Sequence, residues 1–241
     1  MSICLAGIFR DCVIVAADTL TTAQDEGKRA VAEELSHKIE PILGKYAIMF
    51  AGPKYLLTGV GGDAYSVNLI IRDAAKQLQG GLTAKRVFEL IAGTLEQACR
   101  LTFGKCPQLP MFQSFFLGYD KGTPFYWAFD YDCEKGAVTE YFENRERHAL
   151  VWCAGSETFK SPQRTSSYYS KLSLKSGKKF IRELLKQTYL DGLAKGPSPG
   201  INDRFDIGII CLNYFTWDNY EKFRETHFLS EAIAGKTGSA D

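Results

Sequence analysis

The chain has 241 residues, of which 45% are hydrophobic and 24% charged, and its formal net charge is +1. Such a composition builds an ordinary core, and 241 residues suit one sheet-rich domain, taken here as 1–241 with a loose tail from about residue 235. The charge balance argues against nucleic acid and against an anionic membrane as partners. No apolar run approaches the ~20 residues that a spanning helix needs, and the N-terminus has no signal-type pattern. A cytoplasmic protein is expected. The seven cysteines are odd in number, lack C-x-x-C spacing and sit mostly in apolar runs, which fits free thiols in a reducing compartment. No Cys/His set has ligand spacing, so no metal and no cofactor is expected.

Residues 3–9 (ICLAGIF) and 13–18 (VIVAAD) predict two buried strands around a polar turn at Arg10–Asp11. The polar run 19–34 reads as a loop. SHKIEPI (36–42) and KYAIMFAG (45–52) predict a second pair of strands around a Leu43–Gly44 turn, with Lys38 in mid-strand. Helical spacing follows over 63–78, placing Val67, Ile70, Ile71, Ala74 and Leu78 on one face, and over 83–101 after a Thr83 cap.

Strands resume at 113–120, 124–132, 137–143 and 150–155. The aromatic run PFYWAFDYD reads as a packed strand and not as a base-stacking platform. A helical stretch is expected near Ser156, and a clearer helix from about Ser176 turns Phe180, Ile181, Leu184, Leu185 and Thr188 inward. GPSPG (196–200) reads as a loop, FDIGIICLN (205–213) as a buried strand, and a last strand is expected near Tyr220–Phe228. Strands, two helices, strands, two helices, strands: this order favours α+β sheets covered by helices over a β-α-β series.

Chemistry concentrates at the start of the chain. A Ser that becomes the first residue carries a hydroxyl and an α-amine on neighbouring atoms. The amine, with an ordinary pKa near 7.7–8.0, can act as the base that a weak Ser nucleophile requires. Ser2 is small enough for Met1 to be removed enzymatically. Asp18 closes the VIVAAD strand, and Lys38 sits among apolar residues, where an ammonium needs a carboxylate partner. If the strands pair, the two meet beneath Ser2, where the ammonium would lower the amine pKa and polarise the hydroxyl. No G-x-S-x-G elbow is present, and the three histidines are scattered.

These residues resemble the β-type subunits of the proteasome family, among the N-terminal-nucleophile (Ntn) hydrolases, in its bacterial proteasome-like form. The resemblance covers Ser2, VIVAAD, the Lys-bearing strand and FAG before the first helix. The Ser2–Asp18 spacing is similar to the family's spacing from its N-terminal Thr to its Asp. It implies a four-layer αββα sandwich and a catalytic set of Ser2 as nucleophile, Asp18 and Lys38 as its support, and Gly52 as an oxyanion N–H donor. It also implies supporting roles for Gly155, Ser156 and Asp191, and a substrate pocket flanked by Phe50 and Lys54.

The sequence departs from the family in having Ser for Thr, a longer stretch between Asp18 and Lys38, and Ala154 where a Ser is usual. Structural readings stand beside the functional ones: Ser156 as a helix cap, Asp18–Lys38 as an ion pair without chemistry.

The expected function is peptide or amide hydrolysis through an acyl-enzyme, on a peptide or protein substrate, by a homo-oligomeric ring. Any ATP-dependent unfoldase is left open. The alternatives are a non-catalytic ring or scaffold subunit and an acyl-transfer (transpeptidase or ligase) enzyme.

Overall fold

The computed structural model describes residues 3–19, 21–25, 28–33, 36–58, 63–78, 81–105, 112–132, 135–143, 148–153, 159–195 and 204–218. Ser2, Gly155 and Ser156, the 196–200 loop, the expected strand at 220–228 and the tail from 235 lie outside them.

The chain begins with β1 (Cys4–Ile8) and β2 (Val13–Asp18), antiparallel from Cys4 opposite Ala17 to Ile8 opposite Val13. Every residue of both is buried. That explains their unbroken apolar runs, because a strand covered on both faces has no reason to alternate. A small hairpin follows, β3 (Thr21–Asp25) with β4 (Lys28–Glu33). This corrects the loop expected over 19–34: a polar hairpin outside the main sheets needs no apolar alternation.

β5 (Ile39–Ile42) and β6 (Tyr46–Ala51) pair around the Leu43–Gly44 turn, where both residues have positive φ (51° and 65°). Next come β7 (Tyr55–Thr58) and β8 (Asp63–Ser66), a second small hairpin that the sequence reading missed.

Helix α1 (Val67–Lys76) starts four residues later than the helical spacing predicts. Ser66 caps it by accepting from the Leu69 N–H at 3.3 Å. Helix α2 (Ala84–Lys105) follows Thr83, whose hydroxyl accepts from the Arg86 N–H.

β9 (Phe112–Asp120), β10 (Thr123–Asp132) and β11 (Ala137–Glu143) form a meander, turned at Lys121–Gly122 by two residues with positive φ, as a tight hairpin requires. β12 (Leu150–Cys153) precedes a short helix α3 (Ser166–Tyr169), and residues 159–165 are not helical. Helix α4 (Leu174–Lys195) begins two residues before Ser176, because Ser173 and Ser176 bond reciprocally across its first turn. β13 (Phe205–Cys211) turns into β14 (Tyr214–Trp217), an unexpected strand.

The larger strands form two five-stranded sheets, β12-β1-β2-β13-β14 and β11-β10-β9-β6-β5, with antiparallel pairing throughout. The class is mixed α+β. Three buried clusters hold these elements together. One joins the second sheet to α1 and α2 through Ile48, Phe116, Trp127, Ile71, Val87 and Leu95, so the aromatic run is indeed a packed strand. Another joins the first sheet to α3 and α4 through Leu5, Ile14, Ile207, Tyr169, Ile181 and Leu185. The third takes residues from both sheets, among them Ala6, Val15, Met49 and Leu117.

Candidate active site

The described chain starts at Ile3, one residue before β1, and Ile3 is fixed from both sides of its backbone. Its N–H donates to Asp18 Oδ1 at 2.8 Å, and its carbonyl accepts from the Asp18 N–H at 3.0 Å. The 15 positions that separate them are spent on strands of five and six residues and one turn, so the end of β2 returns beside the start of β1.

The same Asp18 oxygen takes a second donor. Lys38 Nζ lies 2.7 Å away, and the two side chains are 7% (Lys38) and 0% (Asp18) exposed. Lys38 is not in mid-strand, as its heptapeptide predicts, but immediately precedes β5. Its carbonyl still accepts from the Phe50 N–H, which extends the β5–β6 ladder by one position and ties the lysine to the second sheet. Asp18 belongs to the first sheet. The ion pair therefore bridges the sheets at one end.

Cys4 lies under this pair. It is fully buried, and its thiol donates to the Phe50 carbonyl at 3.0 Å. Burial pushes its pKa up to about 12; Lys38 pulls it down, while Asp18 and Asp206 add to the rise. A thiol so placed stays protonated and is a poor nucleophile.

Asp206 is a carboxylate that sequence reasoning passed over. It sits in β13 opposite Ala17, and its neighbour Phe205 lies opposite Asp18. Its side chain is 6% exposed and its Oδ2 is 2.6 Å from His37 Nδ1. The bond to Asp206 holds the His37 pKa above its ordinary value, against the opposing effect of desolvation. A charged residue inside FDIGIIC was a signal, since an acid amid a buried strand needs a partner. Nothing local pointed to His37, 169 residues away.

Gly52 follows β6 with φ of 134°, a backbone region that side chains with a Cβ rarely enter. Phe50 is 2% exposed and its ring stacks on Phe112, within the cluster that faces α1 and α2. Lys54 Nζ lies 5.2 Å from the Tyr55 ring centroid. Asp191 lies on α4, where its Oδ1 accepts from Gln187 Nε2 one turn earlier. Among the described residues no cluster of His, Cys, Asp and Glu has the geometry to hold a metal, and no helix is long and apolar enough to cross a membrane.

No family model and no curated protein sequence matches the chain. Solved structures do. Two structures of Anbu from Hyphomicrobium sp. strain MC1, one of them a Gly-1 mutant, superpose with TM-scores of 0.57 at 14% identity. The mutant structure covers 100% of this chain and 98% of its own, and the other covers 99% and 98%. Anbu is a bacterial proteasome-like protein, so the likeness shows a proteasome-like fold.

Proposed function

We propose that this chain is a proteasome-like Ntn hydrolase that cleaves peptide or amide bonds with Ser2 as nucleophile. One observation carries the reading: Asp18 Oδ1 binds both the N–H of Ile3, the residue joined to Ser2, and the ammonium of Lys38. A buried acid–ammonium pair thus lies one peptide from the residue whose amine and hydroxyl would react.

In this mechanism the α-amine, freed by loss of Met1, accepts the Ser2 hydroxyl proton as Oγ attacks the substrate carbonyl. Lys38, paired with Asp18, lowers the amine pKa by like-charge repulsion and stabilises the developing alkoxide. The backbone N–H of Gly52 donates to the oxyanion, charge that exists only in the tetrahedral intermediate. The intermediate collapses to a Ser2 ester as the amine leaves with the proton. Water, deprotonated by the same α-amine, then releases the acid. Phe50 and Lys54 border the substrate pocket on this reading, and Gly155, Ser156 and Asp191 orient the amine.

The three buried clusters support a four-layer αββα order, helices outside two facing sheets. The fold likeness to Anbu supports a homo-oligomeric ring as the working form. The buried cysteines Cys4, Cys12 and Cys153, none of them in a disulfide, support a cytoplasmic location.

The reading is tested by Ser2→Ala. Peptide hydrolysis should fall by at least about 1,000-fold, the range expected when a nucleophile is removed, while the assembly keeps its wild-type size by light scattering. Hydrolysis at wild-type rate in this variant would refute it.

A further inference from the structure

The residues around Lys38 are bound more heavily than a single ion pair requires. The Ser36 N–H donates to the Thr19 carbonyl at 2.7 Å, and the Thr19 N–H donates to the Arg204 carbonyl at 3.1 Å. The Lys38 carbonyl accepts from the Phe50 N–H at 3.1 Å. Segment 36–38 is thus tied to the chain just after β2 and to β6, and through Thr19 to the residue before β13. Between these two attachments stands His37. Its ring is 68% exposed, yet its Nδ1 closes to 2.6 Å on a carboxylate that is almost wholly buried.

Asp206 cannot be left unpartnered at low cost in that position, so its attraction fixes the imidazole. A fixed His37 side chain in turn fixes the peptide next to Lys38, whose long stem would otherwise sample many rotamers. The charges acting on the ring are both carboxylates, Asp206 from β13 and Glu40 from β5. Glu40 is itself engaged by Arg72 and Asn68 of α1, which leaves Asp206 as the direct partner.

We propose that His37, clamped on the buried carboxylate of Asp206, is a positioning residue that holds Lys38 against Asp18, the carboxylate that binds the Ile3 N–H. It touches no reacting atom. Its effect on rate rests on the Ntn-hydrolase reading, whereas its effect on Lys38 does not. The clamp is strongest when the imidazole is charged, so it weakens as pH rises and His37 loses its proton.

The test uses full-length wild type, His37→Phe and His37→Gln. Phenylalanine removes the bond to Asp206; glutamine retains a donor but does not titrate. Peptide hydrolysis is followed between about pH 5.5 and 9, the range in which an imidazole with a carboxylate neighbour changes charge. In parallel, NMR of isotopically labelled lysine side chains follows the Lys38 ammonium, assigned through Lys38→Arg.

The expected result is a kcat about tenfold lower in His37→Phe with KM within about twofold of wild type, as for a misplaced catalytic group. His37→Gln should recover most of the loss. The ratio of wild-type to His37→Gln kcat should fall as pH rises through the His37 ionisation. The Lys38 signal should move to the position of exposed lysines in His37→Phe and stay in place in His37→Gln. An unchanged Lys38 signal in His37→Phe, or a wild-type to His37→Gln ratio flat with pH, overturns the proposal.

If wild type hydrolyses nothing, the hydrolase reading fails and the NMR arm alone decides the positioning role. Should His37→Phe not fold, Asp206→Leu replaces it, removing the acceptor that holds the imidazole, with the same expected displacement of Lys38.

Discussion

Lys38 Nζ and Asp18 Oδ1 meet at 2.7 Å in a setting from which water is almost excluded, Asp18 ending β2 of the first sheet and Lys38 immediately preceding β5 of the second. A buried pair of this kind stabilises little when intact, because the attraction repays a large desolvation cost, but removing one partner strands the other. Asp18→Asn and Lys38→Met should each lower unfolding free energy by about 3–5 kcal/mol. The double variant should cost clearly less than the sum. Urea denaturation of the four proteins measures the coupling, and strict additivity would contradict the pairing.

Phe9 ties the first sheet to α4 by filling space that two glycines leave open. A Cβ at Gly7 would stand 2.2 Å from the Phe9 ring, and one at Gly177 would stand 2.6 Å from it. On propensity alone Gly177→Ala in the first turn of α4 should stabilise by up to about 1 kcal/mol. The clash is with a fully buried ring and should win. The variant is expected to lose about 1–3 kcal/mol, the usual cost of overpacking, and thermal melting gives the sign. Phe9→Ala alone should cost about 3–5 kcal/mol, and in that background Gly177→Ala should turn neutral or stabilising.

At Gly52 the difficulty is backbone conformation. With φ of 134°, alanine would be strained whatever the space around it. Gly52→Ala should destabilise by about 1–3 kcal/mol. Because it also re-aims the N–H assigned to the oxyanion, kcat should fall by more than the loss of folded protein explains. A variant as stable and as active as wild type would remove Gly52 from the account.

The His37–Asp206 bond makes stability depend on pH in a defined direction. A base whose pKa is higher in the folded protein than in the unfolded chain stabilises fully below the unfolded value. That contribution disappears as pH rises through the folded value. His37 is raised above 6.5 by Asp206. Wild type should therefore gain most over His37→Gln in mildly acidic buffer and lose the advantage on the alkaline side of the ordinary imidazole range. Denaturant midpoints of the two proteins across pH read this directly, and a difference growing toward alkaline pH would contradict it.

What could be read from the residues alone follows from where the physical signal is local. β1, β2 and β13 are mostly apolar runs in the first sheet's interior, each of the last two carrying a single Asp, and such runs announce themselves. The helices did too, although α1 begins at Val67 because Ser66 caps it and Asp63–Ser66 pairs as β8. The hairpin β3–β4 is polar in sequence and β7–β8 has only four residues a strand, so neither carries such a signal, although Leu56 of β7 is buried in the core; neither pairs with the main sheets.

At the site, Asp18 and Lys38 were legible because each is a charge stranded in apolar sequence, and each needed the other. The His37–Asp206 bond was not. His37 is exposed and demands nothing, and only the register of β13 on β2 brings Asp206 beside the Lys38 segment.

The most direct measurement of the central claim is intact-protein and peptide mass spectrometry after treatment with a serine-reactive acylating inhibitor. The account predicts a chain lacking Met1 that gains one adduct, mapped to Ser2 and absent in Ser2→Ala. A protein that retains Met1 and still hydrolyses peptides, or an adduct mapped to another residue, would contradict it.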